Sequence, residues 1–148
     1  MVESRTVPRG RRWGMLVLTL LWMAIIFGLS SLHGADHPYP MPWWKWLERK
    51  GAHVFEFFVL TGLLFETFRV WLAAARPRML VALAGAVSLA YAFSDELHQL
   101  FVPGREGKLS DIGIDLIGIV LAIVLLVYLT RRQKHRSDTN RSVTEHVK

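Results

Sequence analysis

The sequence predicts an all-α integral membrane protein: a bundle of four transmembrane helices with a polar cluster near its extracytoplasmic side. Three observations predict it. Charged residues crowd into the ends and short gaps, leaving long apolar runs between them. Lys and Arg alternate between rich and poor connections along the chain. Acidic residues from three of the runs fall at one depth, close to the same end of the bundle.

Bulk composition is a weaker guide. The 148 residues leave room for one domain, 52% hydrophobic and 20% charged, figures that a soluble chain could approach. The distribution of those residues decides the class. There is no cysteine, which removes disulfides and thiolate metal sites. The net charge of +6 does not point to nucleic acid, because the basic residues flank apolar runs, where they set topology and attract anionic lipid.

The first run, residues 13–32, has no charge and is long enough to span. Arg5, Arg9, Arg11 and Arg12 precede it, as in a signal peptide, but its apolar core is long for one and no small-x-small cleavage site follows. It reads as an uncleaved helix. The second run, 54–72, carries Glu56, Glu66 and Arg69; the last two, three apart, read as a snorkelling pair at the inner surface. The third starts at residue 79, stays apolar to Phe93, and reaches spanning length only if it continues through Asp95 and Glu96 to about Gln99. The fourth, 112–130, holds one charge, Asp115. This gives a basic N-terminal segment (1–12), a four-helix domain (13–130) and a basic tail (131–148) that is expected to be disordered from residue 137. No internal repeat is visible.

Orientation follows from the connections. The N-terminal segment, the 69–78 region and the tail hold thirteen Lys or Arg. The other two loops hold five, namely Lys45, Arg49, Lys50, Arg105 and Lys108. The positive-inside rule therefore puts both termini in the cytoplasm. Trp43, Trp44 and Trp46, preceded by Pro38, Pro40 and Pro42, suit an interfacial segment on the outer surface.

Helical rise converts positions into depth. Measured from the cytoplasmic ends, Asp95 lies roughly 25 Å up, Asp115 and Glu56 roughly 24 Å, and His53 and Asp111 roughly 29 and 30 Å. In a hydrocarbon core of about 30 Å these share a shallow outer layer. His53 and Glu56 are three apart, Glu96 and Gln99 three apart, and Asp111 and Asp115 four apart, so each pair shares a helix face. Gly118 and Ala122 continue the Asp115 face with small residues that admit a close neighbour. Lys50 lies one turn before His53, and Arg105 sits in the Pro103-Gly104-Arg105 turn. The expected pocket is lined by Lys50, His53, Glu56, Glu96, Gln99, Arg105, Asp111 and Asp115. Singly, each of these also fits a residue at headgroup level, and Asp111 fits a helix cap. His33, His37, His98, His135 and His146 show no ligand spacing, and Tyr91 and Ser88 read as core packing.

Three stretches carry a family resemblance. Lys50-x-x-His53-x-x-Glu56-Phe57-Phe58, then Ser94-Asp95-Glu96-x-x-Gln99 running into Pro103-Gly104-Arg105, then Asp111-x-x-x-Asp115-x-x-Gly118, resemble the VanZ-like family across nearly everything but the tails. The resemblance implies a bacterial cell-envelope protein of the cytoplasmic membrane; the family's namesake is associated with teicoplanin resistance, and no agreed reaction comes with the fold. The family usually has Asn where this chain has Asp115, and often Tyr at Phe57.

Three functions stay open at this point. The pocket could bind a lipid-linked cell-wall precursor, with Lys50 and Arg105 on phosphate and the acids on sugar or amide groups, lowering access of a lipoglycopeptide. It could belong to a membrane-embedded hydrolase or transferase, with Glu96, His53 and Asp111 as catalytic candidates and a divalent cation as a candidate cofactor. No HExxH, G-x-S-x-G or P-loop supports that chemistry. A proton-coupled carrier is the third, although at mid-depth the helices offer only Ser88, Thr61 and Thr19. The topology underlying all three makes a direct prediction. Reporter fusions after Leu47 and after Lys108 give extracytoplasmic signals; cytoplasmic signals at both would overturn it.

Overall fold

The computed structural model describes residues 7–32, 42–103 and 109–146, with residues 109 and 137–146 as backbone alone. These residues form four helices and no strand: α1 (Arg9–Ser31), α2 (Trp43–Trp71), α3 (Pro77–Gln99) and α4 (Leu109–His146). The chain runs up and down, so α2 and α4 point the same way and α1 and α3 the opposite way. α2 packs against all three other helices and α3 packs on α1 and α4, while α1 and α4 do not touch among the described residues.

Three helices are long and apolar enough to cross a membrane: α1, α3 and residues 110–136 of α4. α2, the remaining expected span, is not among them; Glu48, Arg49, Lys50, Glu56, Glu66 and Arg69 interrupt its apolar character. These charges lie off the helix's buried face: Glu48 and Arg69 are exposed, and Arg49, Lys50, Glu56 and Glu66 are half-buried. α2 buries His53, Phe57, Leu60, Thr61, Leu64, Phe65, Thr67 and Val70 along one continuous face, spaced three and four apart as a helix stripe requires. α1 and α4 carry most of the exposed large apolar side chains, such as Leu21, Phe27, Val124 and Leu125, as lipid-facing helices do.

Helix boundaries follow local chemistry. Pro42 and Pro77 flank or open helices, where a missing N–H costs nothing. α2 begins eleven residues before the run read from the sequence at residue 54, so Trp43, Trp44 and Trp46 are its exposed first turns rather than a separate segment. At the other end, α4 continues through His146, where a disordered tail was expected from residue 137. Arg131, Arg132, Gln133 and Lys134 are good helix formers and no Pro or Gly follows, so nothing local stops the helix that the apolar part has nucleated.

α2 and α4 approach each other closely at Gly118. A Cβ on Gly118 would stand 2.2 Å from the Val54 carbonyl oxygen and 3.0 Å from the Phe58 nitrogen, both backbone atoms that cannot swing aside. Ala122, one turn on, is buried on the same face. A Cβ on Gly85 of α3 would stand 2.8 Å from Ile123 Cδ1, the mobile end of a side chain. Hydroxyl contacts tie the bundle at two further levels. Thr19 Oγ1 lies 2.8 Å from Thr67 Oγ1, and Thr61 Oγ1 donates to Ser88 Oγ at 2.9 Å.

These contacts rank two substitutions. Gly118→Ala forces α2 and α4 apart and costs about 3 kcal/mol or more, the upper end for overpacking, whereas Gly85→Ala is absorbed by Ile123 at about 1 kcal/mol. Thermal unfolding of the detergent-solubilised chain reads the difference. Equal midpoints for the two variants would refute the backbone contact.

Candidate functional site

Lys50 and His53 occupy successive turns of α2 and face Asp111 and Asp115 on successive turns of α4. Because the two helices run in the same direction, spacings of three and four residues stay in step and the side chains meet in two rungs. Lys50 Nζ forms an ion pair with Asp111 Oδ1, which also accepts from Ser110 Oγ at 3.2 Å. His53 Nδ1 lies 2.9 Å from Asp115 Oδ1; the tautomer protonated at Nδ1 donates. Asp111 is 3% exposed and Asp115 is 1% exposed, so both rungs sit inside protein.

A second network joins α1 to α3 at the same end. Ser30 Oγ donates to Asp95 Oδ1 at 2.5 Å, and Gln99 Nε2 donates to Asp95 Oδ2 at 2.9 Å and to Ser30 Oγ at 3.0 Å. Beside it, His98 stacks on Phe27 with ring centroids 4.2 Å apart, and its Nε2 is 2.9 Å from Ser31 Oγ. The two networks form one electrostatic neighbourhood. Asp95, Asp111 and His53 all act on Asp115, and Glu56 acts on His53.

Of the residues singled out from sequence, Lys50, His53, Asp111 and Asp115 are thus joined directly. Gln99 is buried and bonded to Asp95 and Ser30, not used with Glu96 as the three-residue spacing suggested. Glu96 is buried on the same turn as Asp95. Glu56 is half-buried, and its backbone carbonyl accepts from Trp22 Nε1 at 3.0 Å. Arg105 lies outside the described residues. Sequence reasoning placed Asp95 in the polar layer without choosing it for the site, set His98 aside for want of ligand spacing, and missed Ser30 and Ser31 altogether. The four-residue spacing of Asp95 and Gln99 was the available signal; for the serines of α1 there was none, because only docking of α1 on α3 gives them partners.

Asp115 Oδ2 and Gln99 Oε1 are acceptor atoms of this layer buried without a hydrogen bond among the described residues. Leaving such atoms unmet costs about 1–3 kcal/mol each, and they define the chemistry the site lacks, namely N–H or O–H donors. Among the described residues no group of three His, Asp or Glu side chains is disposed to hold a metal ion. Of the catalytic candidates Glu96, His53 and Asp111, two are paired across helices: His53 Nδ1 with Asp115 and Asp111 with Lys50.

The arrangement coincides with the residues that carry the family resemblance. The VanZ/LLP1 family model matches residues 15–130, which take in both rungs and the Asp95 network. The chain belongs to the VanZ/LLP1 family. A relative of this VanZ/LLP1 protein is the uncharacterised membrane protein YwnJ of Bacillus subtilis (strain 168), 38% identical over 86 residues. The match covers 58% of this chain and 54% of YwnJ, so the chain spans about half the length of that relative. No solved structure matches.

The buried rung between His53 and Asp115 can be weighed directly. Removing one partner of a buried pair costs about 3–5 kcal/mol, much of it from the group left behind, whereas replacing both by apolar residues is nearly neutral. His53→Leu in this VanZ/LLP1 protein is therefore strongly destabilising, and His53→Leu with Asp115→Leu recovers most of the loss. A double-mutant cycle on thermal stability with no coupling between the two positions would refute the rung.

Proposed function

We propose that this VanZ/LLP1 membrane protein acts in the bacterial cell envelope by binding the headgroup of a lipid-linked cell-wall precursor. Binding takes place in the polar layer at the outer ends of its helices, and both termini lie in the cytoplasm. α2 supplies the remaining crossing, with one face buried against the other three helices. Bound precursor is then less accessible to a lipoglycopeptide such as teicoplanin.

The observation that carries this reading is that Asp115 Oδ2 and Gln99 Oε1 are buried acceptors without a hydrogen bond among the described residues, each in a side chain held across helices through its other polar atom. A set of fixed acceptors favours a ligand rich in hydroxyl and amide donors, as sugar–peptide headgroups are. Lys50 is less suited to phosphate than its sequence position suggested, because Asp111 already holds it. Mid-depth offers little for a proton path, since Thr61 and Ser88 are bonded to each other.

The test is binding of fluorescent teicoplanin to bacterial cells carrying wild type, Glu96→Gln, Gln99→Leu or empty vector at matched membrane levels. Wild type lowers binding relative to the vector; Gln99→Leu and Glu96→Gln return it towards the vector level. Equal binding in all four would reject the envelope reading.

A further inference from the structure

The end of the bundle opposite the polar layer holds a second feature, on which the reading above does not depend. Roughly 25 Å along α3 from Asp95, the C-terminal part of α2, the start of α3 and the basic part of α4 enclose a cleft of about 880 Å³. Its rim carries Arg69, Arg76, Arg78, Arg131 and Lys134. The acid on that rim, Glu66, is bonded to Arg69 at 2.5 Å, so the cleft keeps a strong positive excess. Its inner wall is apolar, built from Leu80, Val81 and Leu126.

We propose that this cleft holds an anionic phospholipid, with its phosphate against the arginines and the first part of an acyl chain against the apolar wall. Three features select this occupant. The cations sit where the apolar part of α4 gives way to Arg131 and where α3 begins, which is headgroup level for helices of this length. Guanidinium groups on two different elements can grip phosphate oxygens from two directions. The apolar wall has no use for a water-soluble anion but continues into the lipid-facing surface of α4. The cleft also falls within the range of about 300–1,000 Å³ usual for ligand sites. It therefore acts as a seat for a lipid of the leaflet facing this end, bracing α2, α3 and α4 where no polar side-chain rung joins all three.

The experiment is native mass spectrometry of the full chain in non-ionic detergent, offered equal amounts of phosphatidylglycerol and phosphatidylcholine, with inorganic phosphate as competitor. Wild type retains phosphatidylglycerol about tenfold more than phosphatidylcholine, as expected where several arginines lie near one headgroup, and millimolar phosphate does not displace it. Arg76→Gln with Arg78→Gln abolishes the preference. Arg131→Gln with Lys134→Gln, both exposed and so safe for folding, reduces it as well. Arg9→Gln with Arg11→Gln removes the same number of charges from α1 outside the cleft and leaves it unchanged. Equal retention of the two lipids overturns the proposal. Displacement by phosphate would make the site one for free anions, and an equal loss in the α1 pair would make the attraction diffuse; either result also overturns it.

Discussion

The bundle depends on how closely α2 approaches α4. With hydrogen as its side chain, Gly118 lets the Val54 carbonyl and the Phe58 amide of the neighbouring helix come within the space a methyl group would need. In lipid, apolar side chains gain little by leaving their surroundings for one another, so association rests on close packing and on polar ties between helices. The Gly118 contact supplies the first and sets the distance for the second. The Lys50–Asp111 and His53–Asp115 rungs lie within two turns of it on the same pair of helices, and short side chains such as aspartate span the gap only at that separation.

Around this pair the remaining helices are attached by hydroxyls and amides at several heights. α1 buries only Thr19, Ile26 and Ser30 fully, and two of these three are polar residues bonded to a neighbouring helix. Tyr91 adds a hydrogen bond of 2.7 Å to the Met23 carbonyl, where an exposed phenol would otherwise face hydrocarbon. Each tie removes a polar group from lipid while fixing the rotation of a helix about its axis. The polar layer is thus structural as well as a candidate for binding, and Asp115 and Gln99 each keep one buried acceptor atom outside its hydrogen bonds among the described residues.

Much of this was legible in the sequence, and the limits are physical. Long apolar runs announced the helices, since bilayer thickness fixes their length. The small-residue face at Gly118 and Ala122, and the Glu66–Arg69 pair, were readable from spacing alone. Helix ends were less so: α2 and α4 extend into polar sequence that a search for apolar runs passes over, although Trp43 to Lys50 and Arg131 to Lys134 contain nothing that breaks a helix. The partners inside the polar layer were not readable either. Gln99 can reach a residue three or four positions back, and only the rotation of α3 against Ser30 selects Asp95 over Glu96. Ser30 itself gives no signal in sequence, because a serine in an apolar helix becomes informative only when its neighbour is known.

The length of α4 has a mechanical consequence. Its 38 residues form one unbroken helix of about 57 Å, nearly twice the thickness of a hydrocarbon core. Gly118, where its backbone lies close against α2, is roughly 14 Å from one end and roughly 42 Å from the other. The helix is therefore a lever with a fulcrum near its short arm. A tilt that moves Leu109 by about 1 Å carries His146 through about 3 Å, which places the largest displacement the bundle can produce on the side away from its polar layer.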